Sequence, residues 1–143
     1  VDIIAAQLRI ADAKPLDFTQ EDIAVRGWAM ECRINAADPD QDFMPSPGQV
    51  ESMVLPAGPW VRTDTYLAPG CLVPPFYDSL VAKLAVWAPD RPAAIARMRR
   101  ALSELSVEGI AVTTAFHQRV FADEAFCRGE FDTHFLDRFD RRS

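Results

Sequence analysis

A chain of 143 residues that is 49% apolar has the size of one ordinary domain and enough apolar mass for a core, which excludes a disordered tail. Its net charge of −6 and pI near 4.8 exclude non-specific nucleic-acid binding, which needs a basic face. No apolar run is long enough to span a bilayer, so no membrane partner is expected, and three scattered cysteines, Cys32, Cys71 and Cys127, fit a reduced, cytoplasmic setting better than a disulfide framework.

The chain opens with "VDIIAAQLRIADA", where Ile4, Leu8 and Ala11 share a helical face and Pro15 follows. Residues 14–24 form a polar connection. "VRGWAMECRINA" alternates as a strand, with Trp28, Met30, Cys32 and Ile34 on one side and Glu31 and Arg33 on the other. "ADPDQDFMPSPG" carries turn chemistry at almost every position. "QVESMVLPAG" and "WVRTDTYLAPG" predict two more strands across a Pro-Gly turn, and Pro74 and Pro75 punctuate the next loop. Asp78–Trp87, "DSLVAKLAVW", is a mostly apolar run interrupted by Lys83. Asp90 is the N-cap of the clearest helix, with Pro92 in its first turn and Ile95, Met98, Leu102 and Leu105 as its apolar stripe. Gly109 is expected to end it. Thr113 is expected to cap a helix carrying Phe116 and Val120, and a short terminal helix carries Phe135, Leu136 and Phe139. A helix, several antiparallel strands and then helices predict one α+β domain over residues 1–143. No signal peptide is visible, and because the first residue is Val1 and not Met, the sequence is expected to be a piece of a longer protein.

Few local constellations point to chemistry. His117 and His134 are the two histidines, and neither has a second His or Cys at ligand spacing, so no metal site is expected. Cys71 in "APGCLVPP" has no cationic neighbour to lower its pKa and reads as an inert thiol. Asp38, Asp40 and Asp42 alternate, but the central Gly and closing Glu of a calcium loop are missing, so a solvated Asp-Pro turn is the better reading. Lys83, one of two lysines, must snorkel or find a partner, with Asp78 and Glu31 as candidates. Arg62 and Asp64 lie on one face of "WVRTDTY". Local sequence favours a surface ion pair there over an arginine aimed at an anion.

The segment Glu31–Gly48, "ECRINAADPDQDFMPSPG", resembles the biotin carboxylase family pattern "HAxECRINAEDPxxxFxPSPG". The resemblance continues through "LPAGPWVRTDTYLAPGCLVPPFYDSLVAKLAVWAPDRPAAIARMRRALSEL" and "VEGIAVTTAFHQRVFADEAFCRGEFDTHFL", in order and without large gaps. "VDIIAAQLRIADAKPL" resembles the helix after the family's last ATP-grasp motif. The resemblance implies the C-terminal domain of a biotin carboxylase, an antiparallel β-sheet packed with helices that closes one side of an ATP-grasp active site. In the family, ATP activates bicarbonate and a ureido nitrogen of biotin is carboxylated, the biotin hanging from a carrier protein or domain. Arg62 matches the family arginine that contacts the ureido oxygen and bicarbonate, where a fixed guanidinium stabilises charge as it develops. The resemblance thus reverses the local reading of Arg62. Asp64 becomes a candidate for holding the Arg62 guanidinium, and Trp87 and Arg91 match interface positions of a homodimer.

The implied cofactors are carrier-bound biotin, with ATP and Mg2+ or Mn2+ held by the ATP-grasp part, whose metal-binding glutamates and nucleotide-binding lysines are not in this chain. The implied partners are the rest of the carboxylase, the biotin carboxyl carrier domain and a carboxyltransferase. The sequence departs from the family at Trp28, where His is usual, and at Ala37, where Glu is usual. Two expectations follow: a fragment of a biotin carboxylase, inactive alone, or a stand-alone, non-catalytic domain for dimerisation or partner binding.

Overall fold

The computed structural model describes residues 1–139. The Asp2 carboxylate accepts the Ala5 N–H at 2.9 Å and caps helix α1 (Ile3–Ala11), which is shorter than the expected run. No residue of α1 is buried. After the connection, in which Thr19 and Asp22 cap each other around a 3-10 turn (Gln20–Asp22), comes strand β1 (Trp28–Asn35). Its Cys32 and Ile34 are buried while Glu31 and Arg33 are exposed, as the alternation requires.

The Asp-Pro segment is more ordered than a bare loop. Strands β2 (Ala37–Asp38) and β3 (Met44–Pro45) pair antiparallel. Between them lie a 3-10 turn (Pro39–Gln41) and two left-handed residues, Asp42 and Phe43. The expected strand "QVESMVLPAG" divides into β4 (Gly48–Gln49) and β5 (Ser52–Val54). Next come β6 (Val61–Thr65), β7 (Leu72–Val73) and β8 (Leu80–Ala88). The Asp90 carboxylate accepts Ala93 N–H at 2.8 Å and starts α2 (Arg91–Glu104).

Leu105 is the C-cap of α2, and the chain runs straight on into β9 (Ser106–Glu108). Gly109 therefore does not end the helix. It sits at φ +94, and a Cβ there would lie 2.2 Å from the Gln49 carbonyl oxygen. Its smallness is required by the approach of β9 to β5, which pair antiparallel. The remaining helices are α3 (Thr114–Ala122), α4 (Glu124–Arg128) and α5 (Phe135–Phe139).

Three strands in the order β1-β8-β6 form the main antiparallel sheet. Even-numbered residues of β8, Ala82, Leu84, Val86 and Ala88, are buried, and Leu84 and Val86 share one core with Ile95, Met98 and Leu102 of α2. Lys83, Ala85 and Trp87 of β8 are only half-buried and look out on the other side. The fold is α+β, with helices on one side of an antiparallel sheet and an open face on the other.

Candidate functional site

The open sheet face is built by register. Glu31, Ala85 and Arg62 stand opposite one another across β1, β8 and β6, and the adjacent row is Arg33, Lys83 and Asp64. Strand alternation puts all six on one face, and Ala85 contributes only a methyl group between Glu31 and Arg62. The Arg62 side chain is 77% exposed, and its Nε donates to Asp64 Oδ1 at 2.9 Å. That bond uses the inner nitrogen, and the terminal nitrogens have no partner among the described residues. The hydrogen bond and charge of Asp64 push the Arg62 pKa up, so this group stays cationic. Val61, Thr63, Thr65 and Leu67 turn the other way. Thr65 Oγ1 donates to the Val81 carbonyl at 2.7 Å and accepts Leu67 N–H at 3.0 Å, which fixes the end of β6.

Of the two alternatives for Lys83, the carboxylate partner is not found: neither Asp78 nor Glu31 pairs with it, nor does any other carboxylate among the described residues. Asp78 instead approaches Arg33 at 3.9 Å, and its other oxygen accepts Leu80 N–H at 2.8 Å. Lys83 lines a cavity of about 370 Å³ with Asp64, Thr65, Tyr66, Leu80, Val81 and Ala82. The juxtaposition of Lys83 and Asp64 was not evident from local sequence, because it depends on the register of β8 against β6.

Trp87 and Arg91 both have partners within the chain. The Trp87 ring lies 4.8 Å from Trp60, and its Nε1 donates to the Arg26 carbonyl at 2.9 Å. Gly27 leaves it room: a Cβ there would come within 2.4 Å of the indole. Arg91 donates to the carbonyls of Cys127 and Phe126, the latter at 2.6 Å, with Phe126 and Phe131 rings 5.5 and 5.9 Å from its guanidinium carbon. The Arg91 guanidinium thus caps the last carbonyls of α4.

The other candidates lie apart from Arg62. His117 meets the Arg33 carbonyl through Nε2 at 2.9 Å. Burial pushes its pKa down against the opposing pull of that bond. The Thr113 hydroxyl does not cap α3; it accepts Asn35 N–H at 3.0 Å. His134 is exposed, near Thr133. Cys71 is half-buried against the core, and burial pushes the Cys32 thiol up to about 12. Asp38 accepts Asp40 N–H and Gln41 Nε2, and Asp40 pairs with Arg119 at 3.2 Å. Among the described residues no three His, Cys, Asp or Glu side chains cluster as a metal site. Trp28 is about half exposed at the start of β1, and Ala37 is buried opposite Pro45.

Residues 31–138 match the biotin carboxylase C-terminal domain family. The chain is similar to a biotin carboxylase of Nostoc sp., with 45% identity over 99% of this chain and 32% of that protein. It is also similar to a biotin carboxylase of Pseudomonas aeruginosa, with 49% identity over 96% of this chain and 30% of that protein. Among solved structures, it superposes with a TM-score of 0.93 and 40% identity on the biotin carboxylase domain dimer of Hydrogenobacter thermophilus 2-oxoglutarate carboxylase, a complex with MgADP, ADP and bicarbonate. That match covers 96% of this chain and 30% of the other. The chain therefore spans about a third of the length of these relatives, and it belongs to the biotin carboxylase C-terminal domain family.

Proposed function

We propose that this chain is the C-terminal part of an ATP-dependent biotin carboxylase, a ligase, and forms one wall of its biotin and bicarbonate site. The observation that carries this reading is the state of Arg62: cationic, exposed and anchored through Nε to Asp64 at 2.9 Å. A guanidinium held by its inner nitrogen presents two terminal nitrogens in a fixed fork suited to a planar oxyanion. Ala85 in the same cross-strand row leaves space beside the fork. Bound biotin supplies the nitrogen that receives the carboxyl group. Arg62 stabilises negative charge on an oxygen brought to this face, and Asp64 holds its orientation.

Among the described residues no cluster of three His, Cys, Asp or Glu side chains is present to hold a nucleotide metal; on this reading ATP with Mg2+ or Mn2+ is held by an ATP-grasp part. A cytoplasmic homodimer working with a biotin carrier domain and a carboxyltransferase completes the reading, with Trp87 and Arg91 at or beside the dimer contact. Full-length protein containing this domain, given ATP, labelled bicarbonate and biotin, is expected to transfer label to biotin only when ATP is present. Failure to label biotin under those conditions contradicts the reading.

A further inference from the structure

Residues 132–139 fold upon themselves. The Asp132 carboxylate accepts His134 N–H at 2.9 Å and both terminal nitrogens of Arg138, at 2.8 and 3.3 Å, while the Asp132 carbonyl accepts Phe135 N–H at 3.1 Å. Among the described residues, no hydrogen bond or ion pair joins this unit to the rest of the domain. Rings hold it instead: Phe135 lies 5.9 Å from Phe126 and 6.1 Å from Phe131, and Phe139 lies 5.9 Å from Phe116. No residue of α5 is buried, and a cavity of about 190 Å³ lined by Asp123, Ala125, Glu130, Phe135, Arg138 and Phe139 leaves the packing against α4 incomplete. Gly129, just before the unit, sits at φ +82, and a Cβ there would meet nothing within 4 Å, so the chain is free to pivot at this point. A segment held by so few buried contacts opens at low free energy.

Phe116 carries the contact further. Its buried ring is met edge-on by two others, Phe139 at 5.9 Å and Phe43 at 5.0 Å, each at 85°. Phe43 has φ 56, a left-handed backbone that a bulky residue takes up only at a cost. Edge-on packing on Phe116 offsets that cost. Phe43 and Phe116 also line, with Arg33, Asn35, Ser79 and His117, a groove of about 220 Å³. We propose that residues 132–139 are a strap that undocks as one unit about Gly129, and that Phe116 couples its docking to the Asp42–Phe43 turn. The docked strap keeps Phe116 in place for Phe43 and so holds two walls of the groove. The undocked strap frees the Phe116 ring and lets the turn relax. Such coupling is reciprocal, so whatever loosens the turn also loosens the strap.

Amide hydrogen exchange in the full-length protein tests both parts. In the wild type, the amides of residues 134–139 are expected to share one protection level, about tenfold or more below that of α3. Phe139→Ala is expected to speed exchange across 134–139 by about three- to tenfold, the factor of one aromatic pair. It is also expected to speed exchange at Ser46, whose N–H donates to the Ala36 carbonyl at 2.9 Å beyond the turn, and to leave α2 unchanged. Phe43→Ala, made at the other end, speeds exchange at 134–139, and the double variant falls short of the product of the two single effects. Protection that declines residue by residue toward position 139 means fraying and not undocking, and overturns the inference. An unchanged turn in Phe139→Ala overturns it as well, and so does faster exchange that extends to α2, which marks loosening of the whole fold.

Discussion

At the scale of single residues, neighbours decide what each side chain can do. Arg62 and Asp64 form what local sequence reads as an exposed ion pair, and by geometry they are one, at 2.9 Å. Such pairs contribute little to stability. On the proposed reading their value lies in orientation, since Asp64 engages Nε and the terminal nitrogens have no partner among the described residues. Arg91 shows the reverse relation. The resemblance implies an interface position for it, yet its guanidinium joins the first turn of α2 to the Phe126 and Cys127 carbonyls. Arg91→Glu in the isolated domain is therefore expected to cost about 2 kcal/mol of folding stability, the scale of a hydrogen bond to a charged group. Urea unfolding of the isolated domain measures this, and an unchanged midpoint would contradict a stabilising role for the Arg91 bonds within the domain.

At the scale of elements, the strands and helices with strong periodicity are legible in the sequence, and those set by distant partners are not. The alternation over Trp28, Met30, Cys32 and Ile34 and the stripe of Ile95, Met98 and Leu102 both predict their elements, and the predicted faces are buried at Cys32, Ile34, Ile95, Met98 and Leu102 while Met30 is half-buried and Trp28 about half exposed. β9 is invisible locally because its three residues are held by β5, a distant segment of the chain. Gly109 reads as a helix stop but is a close-approach site for the same reason. Of the candidate site, Arg62 and Asp64 are legible as i, i+2 neighbours on a strand. The rows with Ala85 and Lys83 follow from register alone.

The Thr113 and His117 contacts are also long-range: α3 and the residue before it satisfy the free edge of β1 through the Asn35 N–H and the Arg33 carbonyl. Burial depresses the His117 pKa in the folded state, so on acidification the unfolded chain takes up the proton first. The contribution of the neutral ring is complete above the unfolded value of about 6.5 and is lost as pH falls from there through the folded value. His117→Gln is expected to lose less stability than the wild type between neutral pH and pH 5. Parallel denaturation curves at the two pH values check this, and identical losses would mean that the ring titrates without linkage to folding.

Over the whole molecule, apolar surface is divided unevenly. The sheet and α2 bury a continuous core, while Ile3, Ile4, Leu8 and Ile10 of α1 are each more than half exposed. Phe76 and Tyr77, in the loop leading to β8, are 84% exposed. Exposed apolar groups of this size, together with an open charged face, are the marks of a surface completed by other protein. Composition and periodicity reveal the core but cannot say which apolar stripe remains uncovered, since α1 has the same amphipathic pattern as a buried helix. On the proposed reading, the domain is a wall whose central chemical contribution is the Arg62 guanidinium. The most direct test is Arg62→Gln in the full-length protein, comparing the rate of biotin carboxylation with the affinity for ATP. Removing one preorganised donor from developing charge is expected to slow carboxylation about 100- to 1,000-fold, with ATP affinity and melting temperature near wild type. Carboxylation at close to the wild-type rate would contradict this role and leave Arg62 as a surface partner of Asp64.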